Sequence, residues 1–451
     1  MQRSRFLLIS TAAGVTACSG SIYVPPAGTV SPSPASNLNP NGDGAGNFGA
    51  TDETAAYAQT CEALPPDAFA GSFLQAQLRT ARAATASTRN VLAVLPPVQT
   101  QGTPQSAGAP GSCTAQAFGY FTGTYTSALG TSRDLTKPAN QVSAAWLYAY
   151  VHGEDGSTCP HGSQSLYYLE RLVTLGAPSA ADFPYDPNPA LYDNTKSLCG
   201  YLNTASLSTA YADEQKFFTG SYKTFDAITG KMATYLPRFR KFIDAGYCIP
   251  FVGNNGAGYA QPKLSIAGVF VAPAGTAPTT DHCQVIVGYD DALGAFLVQN
   301  SFGPGWNPNG PAPGNNGRIW FDYTNFFEVQ VNAAVMYPDV PAPGGGYPLT
   351  AEVTGGPAIT VYSSGTYDDT SLGRYVVHFD FKASDAVRVA SVQVTDPNGQ
   401  MHSKTFHESI RTGYVLVEKS NSPFVSGKYG LTLNVTRAGT QYAYVGNIPV
   451  T

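Results

Sequence analysis

The 451-residue sequence is poor in charged residues and in histidine. Asp, Glu, Lys and Arg together make up 12% of the chain, the formal net charge is −5, and only six histidines are present. Nucleic-acid-binding surfaces need clustered basic side chains to neutralise phosphates, and the sequence has no such stripe. The seven cysteines contain no Cys-x-x-Cys pair, a spacing that is typical of zinc sites. We therefore expect no nucleic-acid partner, no metal site and no cofactor.

Long hydrophobic runs are also lacking. The apolar stretch Phe6–Val15 is too short to cross a bilayer, but it follows the basic segment Met1–Arg5 and is closed by Cys18. This pattern predicts an export signal, and its end resembles the signal of bacterial lipoproteins. The resemblance implies lipidation at Cys18 and a lipid anchor to the cell envelope, with Ser19 favouring the outer membrane, on its periplasmic or surface face. The alternative is an ordinary signal peptide cleaved nearby, with Cys18 incidental.

Composition and hydrophobic spacing divide the chain into segments of different character. Stretches rich in Pro, Gly, Ser and Asn are typical of tethers and linkers. About a hundred C-terminal residues of short alternating runs predict an all-β, immunoglobulin-like sandwich. The predicted segments are 1–18 (signal), 19–50 (disordered tether), 51–94 (N-terminal arm), 95–337 (main domain), 338–348 (linker) and 349–451 (β-sandwich).

The main domain changes from helical to strand-like spacing near Tyr247, which predicts an α+β fold with a helical half and an antiparallel β half. The predicted helices are Cys113–Ala128, Ala144–His152, Ser163–Leu175 and Phe225–Ala245, the last interrupted at Pro237. The predicted strands are Ile249–Val252, Ser265–Ala272, His282–Tyr289, Ala295–Gln299, Arg318–Asp322 and Ala333–Met336.

Two polar residues stand at the ends of neighbouring predicted strands. His282 begins one strand, and Asn300 directly follows the next. Adjacent antiparallel strands would bring the two side chains together, so that the amide of Asn300 orients the imidazole. A histidine held by a third group is the centre of a nucleophile–base–orienter triad.

A candidate nucleophile lies upstream of this pair. Cys113 follows a Gly-, Pro-, Ser- and Gln-rich loop and opens a predicted helix, where backbone N–H groups and the helix dipole favour an anion. A thiol at such a position beside an imidazolium has a lowered pKa. Gln101 offers a side-chain amide as a second donor for an oxyanion hole.

Together these pieces resemble the papain-like cysteine peptidases. The matching motifs are Pro-Pro-Val-x-x-Gln101-Gly, Gly-Ser-Cys113, Asp281-His282 with its Val-Gly-Tyr, and Asn300-Ser-Phe-Gly. The resemblance implies a two-lobed α+β fold with the active site between the lobes, and thiol-dependent endopeptidase activity on proteins or peptides. It also implies a catalytic set of Cys113, His282, Asn300 and Gln101.

The same resemblance assigns a substrate cleft. Gly162 and Ser163 stand where the family has a glycine pair that lets a peptide backbone approach. Asp281 and Phe302 are assigned to the same cleft, although Phe302 replaces a family Trp that shields the Asn–His hydrogen bond. The gap between Gln101 and Cys113 is longer than is usual in the family, so residues 103–110 are predicted to be an inserted loop, and Gln105 is a competing oxyanion donor.

Export to an oxidising compartment would permit disulfides. Cys159 and Cys199 flank a predicted central helix and are expected to pair, with Cys61 and Cys248 as a second candidate pair, while Cys283 is expected to be a buried thiol. Two other functions stay open at this point. One is a surface binding protein on an inactive peptidase fold, and the other is a Cys/His transpeptidase or amidase.

Overall fold

The computed structural model describes most of the chain from residue 57 onward. The described residues are 57, 60–69, 88–90, 95–101, 111–129, 131–155, 162–186, 217–225, 227–256, 259, 262, 264, 268–307 and 317–451, with side chains described except at 88–90 and 153–155. The predicted signal, lipidation site and tether lie outside these residues, as do Gln105, Cys159 and Cys199. Within the described part of the chain, no helix is long and apolar enough to span a membrane.

The described chain is a mixed α+β structure with few helices and two large β-sheets. Its helices are α1 (π-helical over Ala115–Gly123, then α-helical over Thr124–Ala128), α2 (Ala144–Asp155), α3 (Ser165–Thr174), α4 (Met232–Asp244) and α5 (Tyr323–Val329). Short 3₁₀ turns cover Pro66–Phe69 and Pro138–Asn140.

Helix α1 is buried from Ala115 to Thr126 in the helical half of the molecule. Its glycines allow close packing, since a Cβ at Gly119 would lie 2.6 Å from Leu147 Cδ1 on α2. Its first nine residues have the wider π-helical winding, and the Thr122 hydroxyl donates to Ala117 O, five residues back, at 2.8 Å. π-helical turns are rare and often occur at functional sites.

The first sheet lies against these helices. Its strands are β1 (Thr88–Asn90), β2 (Thr219–Phe225), β3 (Ile249–Gly253), β4 (Val269–Phe270), β5 (His282–Asp290), β6 (Ala295–Gln299), β7 (Arg318–Asp322) and β8 (Gln330–Pro338). They pair in the order β2-β8-β3-β5-β6-β7-β4, with β1 also on β5, and all pairs are antiparallel except β4 with β7.

The strand β5 separates two hydrophobic cores. Because successive side chains of a strand point to opposite faces, Cys283 and Val285 pack in the core that contains α1 and α2, whereas Ile286 packs in the core on the other face. Residues His282–Tyr289 of β5 are buried on both faces of the sheet. This placement is consistent with a papain-like arrangement, in which a helix carrying the cysteine packs against a sheet carrying the histidine.

The C-terminal residues form a second antiparallel sheet. Its strands are β9 (Tyr347–Pro348), β10 (Thr350–Ala351), β11 (Ile359–Asp369), β12 (Arg374–Thr395), β13 (Met401–Thr405), β14 (Ser409–Lys419), β15 (Gly427–Arg437) and β16 (Thr440–Val450). The order is β10-β16-β15-β12-β11-β9, with β13 and β14 also paired to β12. The alternating apolar runs Tyr375–Phe381 and Val387–Val394 belong to one 22-residue strand, β12, which pairs with β11 and β14 along its first half and with β13 and β15 along its second. The immunoglobulin-like topology stays a prediction.

The two sheets pack together along β2 and β14. A Cβ at Gly220 would lie 2.6 Å from Thr412 O, so only a glycine permits this approach. One hydrophobic core contains residues of both sheets, such as Phe225 and Ile249 from the first and Val376 and Tyr414 from the second. The C-terminal sheet is therefore joined to the rest of the structure by a shared core.

Two predictions of the sequence analysis are wrong. Phe225 ends strand β2 instead of starting a helix, and α4 begins only at Met232 and continues through Pro237. Cys61 and Cys248 are separate thiols, because each is buried in a different hydrophobic core.

Candidate active site

His282 and Asn300 meet at the end of the β5–β6 pair. The antiparallel register of these strands sets Val285 opposite Gln299, which carries His282 and the residue after β6 to the same edge. His282 Nε2 lies 2.8 Å from Asn300 Oδ1, and the same Oδ1 accepts a 2.7 Å hydrogen bond from Ser301 N. Because an amide oxygen only accepts, Nε2 must carry a proton, and Nδ1 is the ring nitrogen that can exchange a proton with a nucleophile.

Aromatic rings enclose this hydrogen bond. Phe302 stacks on the His282 ring, with centroids 5.0 Å apart and an interplanar angle of 22°, and Trp306 packs edge-on against Phe302 at 5.8 Å. Tyr259 lies edge-on to His282 and tilted against Trp306, and its hydroxyl accepts a 2.6 Å hydrogen bond from Gln284. His282 and Asn300 are each only 1% exposed, so water has little access to the bond between them.

Cys113 is brought to this histidine by the start of α1. The thiol is buried, and burial raises its pKa, but hydrogen bonds from Cys283 and His282 and the positive charge of His282 outweigh that effect and lower the pKa to about 5. A thiol with such a pKa is a thiolate at neutral pH. The candidate nucleophile Cys113, the candidate base His282 and the candidate orienting amide of Asn300 therefore lie in one cluster.

A second thiol adjoins the first. Cys283 is buried beside Cys113, and the Thr114 hydroxyl lies 3.9 Å from Cys113 Sγ and 3.4 Å from Cys283 Sγ. A buried thiol at Cys283 was predicted from the sequence, but its position beside Cys113 was not. The available signal was its place next to His282 in a strand that packs against the helix of Cys113.

Gln101 is fixed to the segment that follows Asn300. Its backbone N–H donates to Ser301 O at 2.7 Å, and its side-chain Oε1 accepts a hydrogen bond from the Ser301 hydroxyl. Because Oε1 is turned toward Ser301, the amide N–H groups of Gln101 point the other way. The structure thus determines the orientation of one of the two candidate oxyanion donors, while Gln105 lies outside the described residues.

Of the residues assigned to the substrate cleft, Gly162 and Ser163 lie on the side of Cys113, whereas Asp281 and Phe302 lie on the side of His282. Ser163, which is buried like Gly162, accepts at its carbonyl a 3.1 Å hydrogen bond from Thr114 Oγ1, the neighbour of the nucleophile. Asp281 is attached to strand β3 through a 3.2 Å hydrogen bond from its N–H to Gly253 O. Phe302 lies on the histidine ring, as described above. In the part of the chain with described side chains, no group of three or more His, Cys, Asp and Glu residues could hold a metal ion.

The chain was compared with known protein families, curated proteins and solved structures. No protein-family profile matches the chain, and no curated protein matches it. Three solved structures to which it is similar are papain-like cysteine proteases.

One of them is xylellain, a cysteine protease from Xylella fastidiosa, with a TM-score of 0.45, 18% identity and coverage of 66% of this chain and 97% of that one. Digestive procathepsin L 3 of the Tenebrio molitor larval midgut has a TM-score of 0.40 and 15% identity, over 62% and 77% of the two chains. ProCathepsin B S9 from Trypanosoma congolense has a TM-score of 0.43 and 12% identity, over 65% and 86%. These similarities are too distant to assign a function.

Proposed function

We propose that the protein is a thiol-dependent endopeptidase in which Cys113, His282 and Asn300 act as one catalytic unit. The proposal is supported by the 2.8 Å hydrogen bond between His282 and Asn300 and by the interaction with His282 that lowers the pKa of Cys113. Nucleophilic catalysis by cysteine needs these three relationships: a thiolate, a base within reach of it, and a group that fixes the tautomer of the base.

The reaction proceeds in two acyl transfers. The Cys113 thiolate attacks the scissile carbonyl carbon, a C–S bond forms, and the carbonyl electrons move to oxygen. The Cys113 N–H and the Gln101 amide stabilise that oxyanion. The C–N bond then breaks as His282 gives its proton to the leaving amine, which leaves a thioester. His282 next removes a proton from water, and attack of that water releases the acid and restores the thiolate.

The remaining residues of the site support this chemistry in the proposal. Gly162 and Ser163 line the approach of an extended peptide, and Asp281 and Phe302 complete the same cleft, with Phe302 also covering the His282–Asn300 hydrogen bond. The substrates are proteins or peptides.

The proposal further includes export and a lipid anchor at Cys18. Replacement of Cys18 by alanine tests the anchor, because the Cys18→Ala chain should lose incorporation of radiolabelled palmitate and leave the membrane fraction.

Digestion of casein by the full chain tests the activity, under reducing conditions at mildly acidic to neutral pH. An epoxide probe of cysteine peptidases should label the chain and stop digestion, and Cys113→Ala should abolish both labelling and digestion. Cys248→Ala is the matched control, because burial raises the pKa of that thiol to about 12 and its loss removes no reactive thiolate. Labelling that persists in Cys113→Ala would contradict the assignment.

The same assay separates the two other functions. A chain that is labelled at Cys113 but digests nothing would favour an inactive peptidase fold that binds its partners. Formation of a new amide in the presence of an added amine would favour transfer over hydrolysis.

A further inference from the structure

Tyr185 connects the two sides of the candidate active site. Its hydroxyl donates to the backbone carbonyl of Gln101 at 3.3 Å and lies 2.5 Å from the hydroxyl of Ser112. Ser112 directly precedes the nucleophile Cys113, and Ser112 O accepts the Gln116 N–H at 2.9 Å, in the first turn of α1. One side chain thus contacts both segments that would supply oxyanion donors.

The direction of these hydrogen bonds follows from the number of protons. A phenol has one proton, and a backbone carbonyl only accepts. The Tyr185 proton is therefore given to Gln101 O, and the Ser112 hydroxyl must donate to Tyr185. Burial raises the pKa of the Tyr185 phenol, so it keeps this proton through the physiological pH range. The three residues thus form a series of hydrogen bonds in which Ser112 donates to Tyr185 and Tyr185 donates to Gln101.

Tyr185 is itself held by the loop after α3. The neighbouring Phe183 is buried, its N–H donates to Ser179 O at 3.1 Å, and its carbonyl accepts a 2.7 Å hydrogen bond from the Ser143 hydroxyl. The loop is thus fixed to the helical half of the molecule. Gln101, by contrast, is attached to Ser301 on the β half. The Tyr185–Gln101 bond therefore spans the two halves at the point where they face each other.

We propose that Tyr185 is a positioning residue for the oxyanion hole, which sets the distance between the Gln101 amide and the Cys113 N–H. The inference rests on the proposed peptidase function and deepens it. Ser301 determines which way the Gln101 amide faces, and Tyr185 determines how close the Gln101 backbone lies to the start of α1. Without the phenol hydroxyl, Gln101 keeps its orientation but is no longer held against Ser112.

Tyr185→Phe in the full chain tests the proposal with two reactions of the same thiol. Hydrolysis of a 4-nitrophenyl ester of an N-acylated amino acid passes through an oxyanion, whereas alkylation by iodoacetamide needs only the thiolate. Complete loss of an oxyanion donor lowers kcat by about 10²–10³-fold, so a displaced donor should lower it by roughly tenfold to a hundredfold. We expect this loss in kcat with KM changed less than about threefold, and an unchanged rate of alkylation at Cys113.

Tyr444→Phe is the matched control, because Tyr444 also donates to a backbone carbonyl, Pro357 O at 2.6 Å, but in the C-terminal sheet. It should leave both reactions unchanged. Ser112→Ala removes the hydrogen bond at the other side of Tyr185 and should also lower kcat. It keeps the test valid if Tyr185→Phe does not fold. An unchanged kcat in the folded variants, or an equal loss in both reactions, would overturn the role of Tyr185. A wild-type chain in which Cys113 is neither alkylated nor acylated would instead overturn the proposed function, and this inference with it.

Discussion

Lys223 and Glu408 form an ion pair that is completely enclosed between the two sheets. Lys223 lies on β2, Glu408 directly precedes β14, and neither side chain has any exposed surface. Glu408 Oε2 also accepts the Cys61 N–H at 2.5 Å, and the Lys223 ammonium lies 4.6 Å from the centre of the Tyr414 ring. A buried charge is tolerated only when it is paired and hydrogen-bonded, so each of these residues depends on the other.

Glu408→Gln should destabilise the whole protein, because it leaves the Lys223 charge buried without a counter-ion. Loss of one partner of a buried ion pair costs about 3–5 kcal/mol, which urea denaturation followed by tryptophan fluorescence will measure. Lys241→Met is the control, since the Lys241–Asp67 pair is about half exposed and such surface pairs contribute less than about 1 kcal/mol. Equal effects of the two substitutions would mean that the enclosed pair contributes no more than a surface one.

Cys283→Ala should move the reactivity of Cys113 to higher pH. A pKa of about 5 makes the iodoacetamide reaction of the wild type rise through that pH and stay fast above it. The hydrogen bond from Cys283 is one of the interactions that lower this pKa, so its loss raises the pKa and the midpoint of the pH–rate profile shifts upward. Cys61→Ala is the control, because burial holds the pKa of the Cys61 thiol near 12. An unshifted midpoint in Cys283→Ala would show that His282 alone activates the thiol.

Phe302→Ala should weaken catalysis by admitting water to the His282–Asn300 hydrogen bond. Hydrogen bonds to charged groups are worth about 1.5–3 kcal/mol, which corresponds to roughly a tenfold to hundredfold loss in kcat/KM. Phe302→Trp keeps an aromatic ring on the imidazole and should retain most of the activity. If ester hydrolysis is as fast in Phe302→Ala as in Phe302→Trp, the ring has no shielding role.

Local patterns in the sequence were sufficient for the strands that carry the candidate base and its orienter. The predicted bounds of β6 and β7 are those of the structure, and β5 differs only by including Asp290. Alternation of apolar side chains is a local property, and turn residues bound each strand. The closeness of His282 and Asn300 followed from these strands alone.

Interactions between distant parts of the chain were not predictable in the same way. Strand β2 was not predicted, because its Thr, Gly, Ser and Lys residues are not typical of a buried strand. Lys223 is buried there only because Glu408, which is distant in the sequence, balances its charge. Residues 382–386 interrupt the apolar alternation of the sequence, yet they lie within β12, and its pairing with β14 shifts register there. Tyr185 gave no signal of its own, because its role depends on meeting Gln101 and Ser112 in three dimensions.

The shared core of the two sheets has a consequence for the order in which the chain is made. Synthesis proceeds from the N-terminus, so β2 leaves the ribosome long before β14, which covers it. Until then the Lys223 charge has no counter-ion and the apolar residues of the shared core lack their neighbours from the second sheet. Domains generally fold as units once their residues are available. The shared core of the two sheets, with the Lys223–Glu408 ion pair inside it, is therefore completed only after β14 has been synthesised.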